Sequence, residues 1–260
     1  MVGSSFGGRR ERVELTSLNE RPAFYALAPG GWRDYLTLLH PPYTAWHLSY
    51  VAIGAAVAPA FDGGRLGATA LAFFLAVGLT AHALDELAGR PLATSIPDTA
   101  LRWIAAGGLV GAVALGLAGA VMVSWWLVAF VAVGVFIVLA YNLELFGGAF
   151  HSDVWFAAAW GAFPALTSSF AQAETIRWEA VLVALACGFL SAAQRRLSTP
   201  VRRLRRHVVQ VEGRMIMKTG AEVEIDEREL REPSESALRA LTVAMILLSG
   251  GLVAARMLQG

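Results

Sequence analysis

The sequence has very little lysine and cysteine, and few charged residues of any kind. Lys218 is its only lysine and Cys187 its only cysteine, so no disulfide can form within the chain. Charged residues make up 16% of the 260 positions and hydrophobic residues 56%, with a mean hydropathy of +0.55. A soluble domain averages about 25% charged and 45–50% apolar residues. The composition therefore excludes an ordinary soluble protein and indicates a chain whose solvent is lipid.

Seven apolar stretches approach the length of about 20 residues that a helix needs to cross a bilayer core roughly 30 Å thick. The longest apolar run, 101–146, is too long for one helix, and we divide it near Gly119–Ser124. The predicted spans are 43–60, 66–84, 101–122, 124–146, 154–173, 178–194 and 236–258. The predicted fold is all-α, a polytopic transmembrane helical bundle with a small cytosolic β-hairpin insertion.

Arginine and lysine are concentrated on one side of these spans. With a cytosolic N-terminus, only three of the 21 Lys and Arg residues fall outside, namely Arg65, Arg177 and Arg256. Cytosolic loops of membrane proteins carry the excess of positive charge. The distribution predicts a multi-pass protein of the cell (inner) membrane, with its N-terminus in the cytosol and its C-terminus outside. Residues 1–34 are polar and lack the apolar core of a cleavable signal peptide.

The spans divide the chain into four segments. These are a cytosolic or interfacial N-terminal segment, a six-span bundle, a basic cytosolic loop with the hairpin, and the seventh span with the C-terminus: 1–41, 42–197, 198–235 and 236–260. In the first segment, Trp32, Tyr35 and Leu36 precede Pro41-Pro42, a pattern that predicts a helix lying on the membrane surface.

Apolar and polar residues alternate with a period of two in 207–232, as in the pairs Met215/Met217 and Val223/Ile225. This period is typical of β-strands. We predict a two-stranded hairpin or a three-stranded meander with turns at Gly213 and Gly220.

Ionisable residues within membrane spans are costly and usually functional. Here they gather at the predicted cytosolic ends of the spans, which suggests one polar pocket with these candidate metal ligands: His47, His82, Asp85, Glu86, Glu144, His151 and Asp153. Mixed histidine and carboxylate ligands suit Zn²⁺, Mn²⁺ or iron, whereas carboxylates alone suit Mg²⁺ with a diphosphate.

Simpler interpretations stay open for the same residues. Asp85 and Glu86 could belong to a solvated turn with Arg90 as their ion-pair partner. His47 could bond a neighbouring backbone carbonyl, and Ser152 or Asp153 could cap the fifth span.

The order of these features resembles that of the UbiA-type membrane prenyltransferases. The segment 82–92, HALDELAGRPL, resembles the family's first aspartate-rich motif, which ends the second helix and is followed by Arg-Pro-Leu. The segment 140–143, AYNL, is similar to the end of the family's fourth helix, and 197–202, LSTPVR, to the stretch after its second aspartate motif. At the place of that second motif, this sequence has Gln194, Arg195 and Arg196 instead of acids.

The resemblance implies catalytic roles for Asp85, Glu86 and Arg90. It also implies a substrate-binding role for Tyr141, Asn142, Gln194, Arg195 and Arg196. The family binds a divalent metal and an isoprenoid diphosphate on the cytosolic side.

Three functions are compatible with these observations. The first is a UbiA-like, metal-dependent transferase that acts on an isoprenoid or other lipid at a cytosol-facing pocket. The second is a transition-metal membrane enzyme for lipid oxidation or hydrolysis, and the third is a non-catalytic lipid-binding or partner subunit. The basic loop is expected to bind anionic lipid headgroups rather than nucleic acid. If the protein is a partner subunit, the hairpin is the segment that we expect to bind the protein partner.

Overall fold

The computed structural model describes residues 21–259, and the first 20 residues of the predicted N-terminal segment lie outside this range. The chain is mostly helical. The helices and strands are α1 Trp32–Leu38, α2 Pro41–Ala56, α3 Gly63–Leu87, α4 Asp98–Met122, α5 Leu127–Asn142, α6 153–173, α7 Trp178–His207, β1 Gly213–Ile216, β2 Glu222–Ile225 and α8 Glu227–Met257. Each predicted span overlaps one of the helices α2 to α8.

Four helices in the described part of the chain are long and apolar enough to cross a membrane, and they are α3, α4, α7 and α8. Their apolar surfaces support the prediction of a helical membrane protein. Helices α2 and α5 are shorter, with 16 residues each.

The helices approach each other closely where small residues meet. Helix α2 packs against α6 and α8, and a Cβ atom placed on Gly54 would lie only 2.1 Å from the carbonyl oxygen of Ala165 in α6. Four residues before Ala165 in α6, a Cβ atom on Gly161 would lie 2.5 Å from the carbonyl oxygen of Cys187 in α7. Small residues let membrane helices come this close, and van der Waals contact then holds them together.

Two of the helices contain a π-helical stretch. Residues Phe74–Ala81 of α3 and Ala158–Ala162 of α6 have this wider winding. Such stretches are rare in proteins, but many of those known lie at functional sites, because they turn the residues that follow toward a new direction. Here they lie directly before His82 and around Trp160.

The hairpin is present as two antiparallel strands, in which Met215 pairs with Val223. Gly220 lies in the connecting turn with a φ of 82°, as predicted. The turn predicted at Gly213 is wrong, because this residue is the first of β1 and pairs with Ile225.

Two predicted segment boundaries fall inside helices. Helix α7 continues without a break through 198–207, so the boundary after residue 197 does not separate two elements. Helix α8 begins at Glu227 rather than at 236, since the Asp226 side chain accepts a hydrogen bond from the Glu229 amide at 2.8 Å and caps the helix there.

Polar contacts gather at the two ends of the bundle. At one end, Arg65 of α3 contacts Glu174 after α6 at 3.2 Å, and Arg256 of α8 donates to the Ala58 carbonyl oxygen after α2. The opposite end, here called the basic end, carries residues 21–40, 88–97, 143–152 and the hairpin. At this end the buried Asp34 accepts a hydrogen bond from the Ser95 amide at 2.9 Å, which ties α1 to the loop after α3.

Candidate functional site

An apolar cavity of about 590 Å³ lies between α3, α4, α5 and α6. It reaches from Arg65 at one end of the bundle to Val77, Val138 and Trp160 toward the basic end. Its walls are formed mainly by aliphatic and aromatic side chains, with several glycines such as Gly134. A space of this size and lining suits a long apolar molecule.

A cluster of histidines lies at the basic end. Nδ1 of His47 in α2 donates a hydrogen bond to the Tyr43 carbonyl oxygen at 2.6 Å. Nδ1 of His82 in α3 donates in the same way to the Gly78 carbonyl oxygen at 3.3 Å. The predicted simple role of His47, a bond to a neighbouring backbone carbonyl, is therefore seen in the structure. The ring of His40, the residue before α2, stacks on His82 with 4.1 Å between the centroids.

The phenol of Tyr25 completes this cluster from the N-terminal side. Its oxygen lies 2.7 Å from Nδ1 of His40. Burial, and then the neighbouring His82, hold the pKa of His40 well below its usual value, so the ring is neutral. Burial and the nearby Tyr43 raise the pKa of Tyr25, which keeps the phenol protonated.

Trp160 joins the apolar cavity to the polar end. Its ring lines the cavity and also contacts His47 at 6.4 Å and Tyr141 at 5.6 Å, measured between ring centroids. Val77, Val138, Tyr141 and Trp160 belong to one buried cluster. A molecule that fills the cavity therefore has its end beside the histidine cluster.

Four of the predicted site residues meet at the ends of α5, α6 and α7. Arg195 donates to Asp153 at 2.5 Å and also to the Tyr141 hydroxyl. His151 stacks on the Tyr141 ring with a centroid distance of 4.4 Å. Arg195 also lies 4.8 Å from the centre of the Phe156 ring, a cation–π contact. Arginine, tyrosine and histidine here form a polar wall beside Trp160.

Glu86 and Arg90 hold the loop that follows α3. Glu86 is fully buried, and its two oxygens accept hydrogen bonds from the Leu92 amide at 3.0 Å and from the Thr94 amide and hydroxyl at 2.9 and 2.8 Å. Arg90 donates to the Ile96 carbonyl oxygen and pairs with Asp98. The predicted ion pair of Arg90 with Asp85 or Glu86 is wrong, because Arg90 points toward the start of α4.

Asp85 differs from Glu86, its neighbour. It is half-buried and lies within electrostatic range of His151, Arg202 and Arg206. Asp85 thus lies in the field of the arginines of α7, and Glu86 is also within electrostatic range of Arg206.

The predicted metal ligands do not converge on one centre. Among residues 21–259, no group of three or more His, Cys, Asp or Glu side chains is placed to hold a metal ion. The Glu86 oxygens already bind the loop, Asp153 binds Arg195, and the Glu144 side chain is 68% exposed. The donor set therefore does not fit the metal clamp that the resemblance implies.

The remaining predicted residues have separate positions. Asn142 donates to the Val138 carbonyl oxygen of its own helix at 2.7 Å. Gln194 is buried, and Arg196 is exposed on the surface of α7.

Tyr25, His40 and Trp160 were not predicted as residues of the site. Arg202 and Arg206 were predicted only as part of the basic loop that binds anionic headgroups. A signal for the arginines existed, because Arg195, Arg202 and Arg206 follow at intervals of seven and four residues and therefore share one face of α7. The positions of Tyr25 and His40 depend on how the N-terminal segment folds back, for which the sequence has no local signal.

Fold and site together define a helical membrane protein with an apolar cavity that ends at a basic, histidine-containing cluster. No family model, curated protein or solved structure matches this chain.

Proposed function

We propose that this protein binds an isoprenoid or other long-chain lipid, with the chain in the apolar cavity and the head group at the basic end. The contact of Trp160 with both the cavity and the histidine cluster carries this proposal. Through this contact, the apolar cavity lies directly beside a polar cluster. A lipid site usually has such an apolar pocket with a few polar groups at one end.

The charges of the basic end favour one orientation of that lipid. Arg195, Arg202 and Arg206 lie on one face of α7 beside Tyr141 and Asp85. A polar or anionic head is stabilised there by three arginines, of which Arg195 is paired with Asp153. At the opposite end, the cavity lining has one arginine, Arg65, and it is paired with Glu174.

Transfer of a group to or from this lipid is the reaction that the resemblance to UbiA-type enzymes supports. In that family a divalent metal neutralises the leaving diphosphate. Because the described carboxylates do not fit such a clamp, we assign charge neutralisation to Arg195, Arg202 and Arg206 as fixed cations. Asp85 is the carboxylate that is placed to orient them or to accept a proton.

A lipid-binding protein without catalysis is the second candidate. One observation favours it. Glu86 and Arg90, two of the three residues with an implied catalytic role, are engaged in holding the loop after α3.

A blocked cavity tests lipid binding. In Gly134→Phe, the new ring enters the cavity beside Phe163, whose ring atoms lie 3.5 Å from a Cβ atom at this position. We expect the affinity for geranylgeranyl methyl ether, a probe with a chain and no charged head, to fall about tenfold or more. Binding is measured by isothermal titration calorimetry on the purified full chain in detergent.

Gly107→Phe is the matched control, since Gly107 lies on the exposed side of α4 with no atom within 4 Å of its Cβ position. It should bind the ether like the wild type. Equal binding by both variants, or no binding by the wild type, would show that the cavity is not the lipid site.

For the topology, we propose seven crossings by α2 to α8, with the basic end in the cytosol. The arginine distribution and the gathering of polar contacts at two opposite ends support this arrangement.

Cysteine labelling tests this orientation. Cys187 is buried, and Cys187→Ser removes the only native thiol. In that background, a membrane-impermeant maleimide should label Gln259→Cys in intact cells and Thr219→Cys only after permeabilisation. Both positions are exposed, and they lie before and after α8, at its opposite ends. Labelling of Thr219→Cys in intact cells contradicts the orientation.

A further inference from the structure

We propose that Nε2 of His47 accepts a hydrogen bond from a hydroxyl group of the bound lipid. This inference rests on the proposed lipid site and names the chemistry of the ligand's first polar group. The ligand is then a long-chain alcohol, a phenol or a related lipid that carries an O–H donor.

The hydrogen bonding of His47 defines which atom is available. Its Nδ1 lies 2.6 Å from the Tyr43 carbonyl oxygen, and because a carbonyl only accepts, Nδ1 is the nitrogen that carries the hydrogen. A neutral imidazole has one donor and one acceptor nitrogen. Nε2 is therefore a bare acceptor.

The acceptor is buried and has no partner among the described residues. His47 is 7% exposed, and its Nε2 makes no hydrogen bond within 21–259. Buried polar atoms are nearly always hydrogen-bonded, so an orphaned one calls for a partner beyond the described residues, and we assign this place to the bound lipid.

The position of the ring connects this atom to the cavity. The His47 ring lies 6.4 Å from the Trp160 ring and 6.5 Å from the Phe156 ring. Trp160 lines the part of the cavity that lies toward the basic end. His47 is thus among the first polar groups that a molecule lying in the cavity meets as it leaves the apolar part.

The acceptor character of Nε2 selects among lipid heads. A hydroxyl group donates one hydrogen and satisfies the atom, whereas an ionised carboxylate or phosphate has only acceptors to offer. An ether places an acceptor oxygen against an acceptor nitrogen. An anionic group would instead be held by the cations Arg195, Arg202 and Arg206 of α7.

The test compares two probes that differ by this one hydrogen. Calorimetric titration of the full chain in detergent with geranylgeraniol and with geranylgeranyl methyl ether should show about fivefold tighter binding of the alcohol, the effect of one neutral hydrogen bond. In His47→Phe the preference should disappear, while the affinity for the ether stays at its wild-type value. The control His207→Phe, at the exposed end of α7, should keep the preference.

Equal affinity of the wild type for both probes would overturn the proposal while leaving the lipid site in place, and this comparison needs no substitution. If the wild type bound neither probe, the lipid site itself would be wrong. Should His47→Phe fail to fold, His47→Leu replaces it, since leucine also lacks an acceptor, with unchanged ether binding as the check on the cavity. Retention of the alcohol preference in a folded His47 variant would also overturn the proposal.

Discussion

Replacement of Glu235 by alanine is expected to lower the free energy of unfolding by about 3–5 kcal/mol, because it removes the carboxylate that pairs with Arg205, whose side chain is only 10% exposed. The Glu235 side chain is 1% exposed and accepts hydrogen bonds from Arg205 at 2.5 and 3.0 Å. Arg231 and Arg239 lie 3.9 and 3.4 Å from its oxygens. This network joins α7 to α8.

The same network supports the N-terminal segment that reaches the site. Arg205 also donates to the Arg21 carbonyl oxygen, and Arg206 to that of Pro22. Arg239 lies 5.1 Å from the centre of the Phe24 ring. A displaced Arg205 is therefore expected to loosen the segment that presents Tyr25 to His40.

Unfolding in mixed micelles with increasing SDS, followed by circular dichroism, measures the loss of stability. The matched control is Glu222→Ala on the hairpin, which removes the carboxylate of an ion pair with Arg214 whose side chains are 54% and 69% exposed. An exposed pair contributes under about 1 kcal/mol. Similar losses in the two variants would show that Glu235 does not organise the basic end.

The second large effect is expected for Glu86→Gln. The carboxylate has only acceptors and faces three donors, two from Thr94 and one from the Leu92 amide. Glutamine has an NH2 group in place of one of these oxygens. At least one buried donor then loses its acceptor and faces another donor. We expect a loss of about 3 kcal/mol in the free energy of unfolding.

Hydrogen exchange of the peptide that covers 88–97 measures this effect locally. Exchange at Leu92 and Thr94 should become faster, with or without Mg²⁺, since the carboxylate holds the loop and not a metal. Asp98→Asn is the control, because Asp98 is 57% exposed and pairs with Arg90 at the surface of the same loop. Unchanged exchange in Glu86→Gln, together with lost Mg²⁺-dependent lipid turnover, would instead favour the metal-ligand interpretation of Glu86.

The sequence by itself determined the features that depend on neighbouring residues. Long apolar runs define α3, α4, α7 and α8, since a helix satisfies its own backbone hydrogen bonds and needs only an apolar surface to stay in lipid. The period-two alternation and Gly220 define the hairpin, because side-chain alternation and a positive φ are local properties of the chain. The gathering of charged residues at one end followed from the same reasoning.

Only the tertiary structure decided what each polar side chain of the basic end does. Asp85 and Glu86 are adjacent and chemically alike, yet Asp85 is half-buried whereas Glu86 is fully buried and accepts hydrogen bonds from the amides of Leu92 and Thr94. The reason is that a loop must satisfy its buried donors with the acceptor that it encloses. The contact of Tyr25 with His40, and that of Trp160 with His47, join residues far apart in the chain. Such contacts arise from how whole helices pack, which no local pattern records.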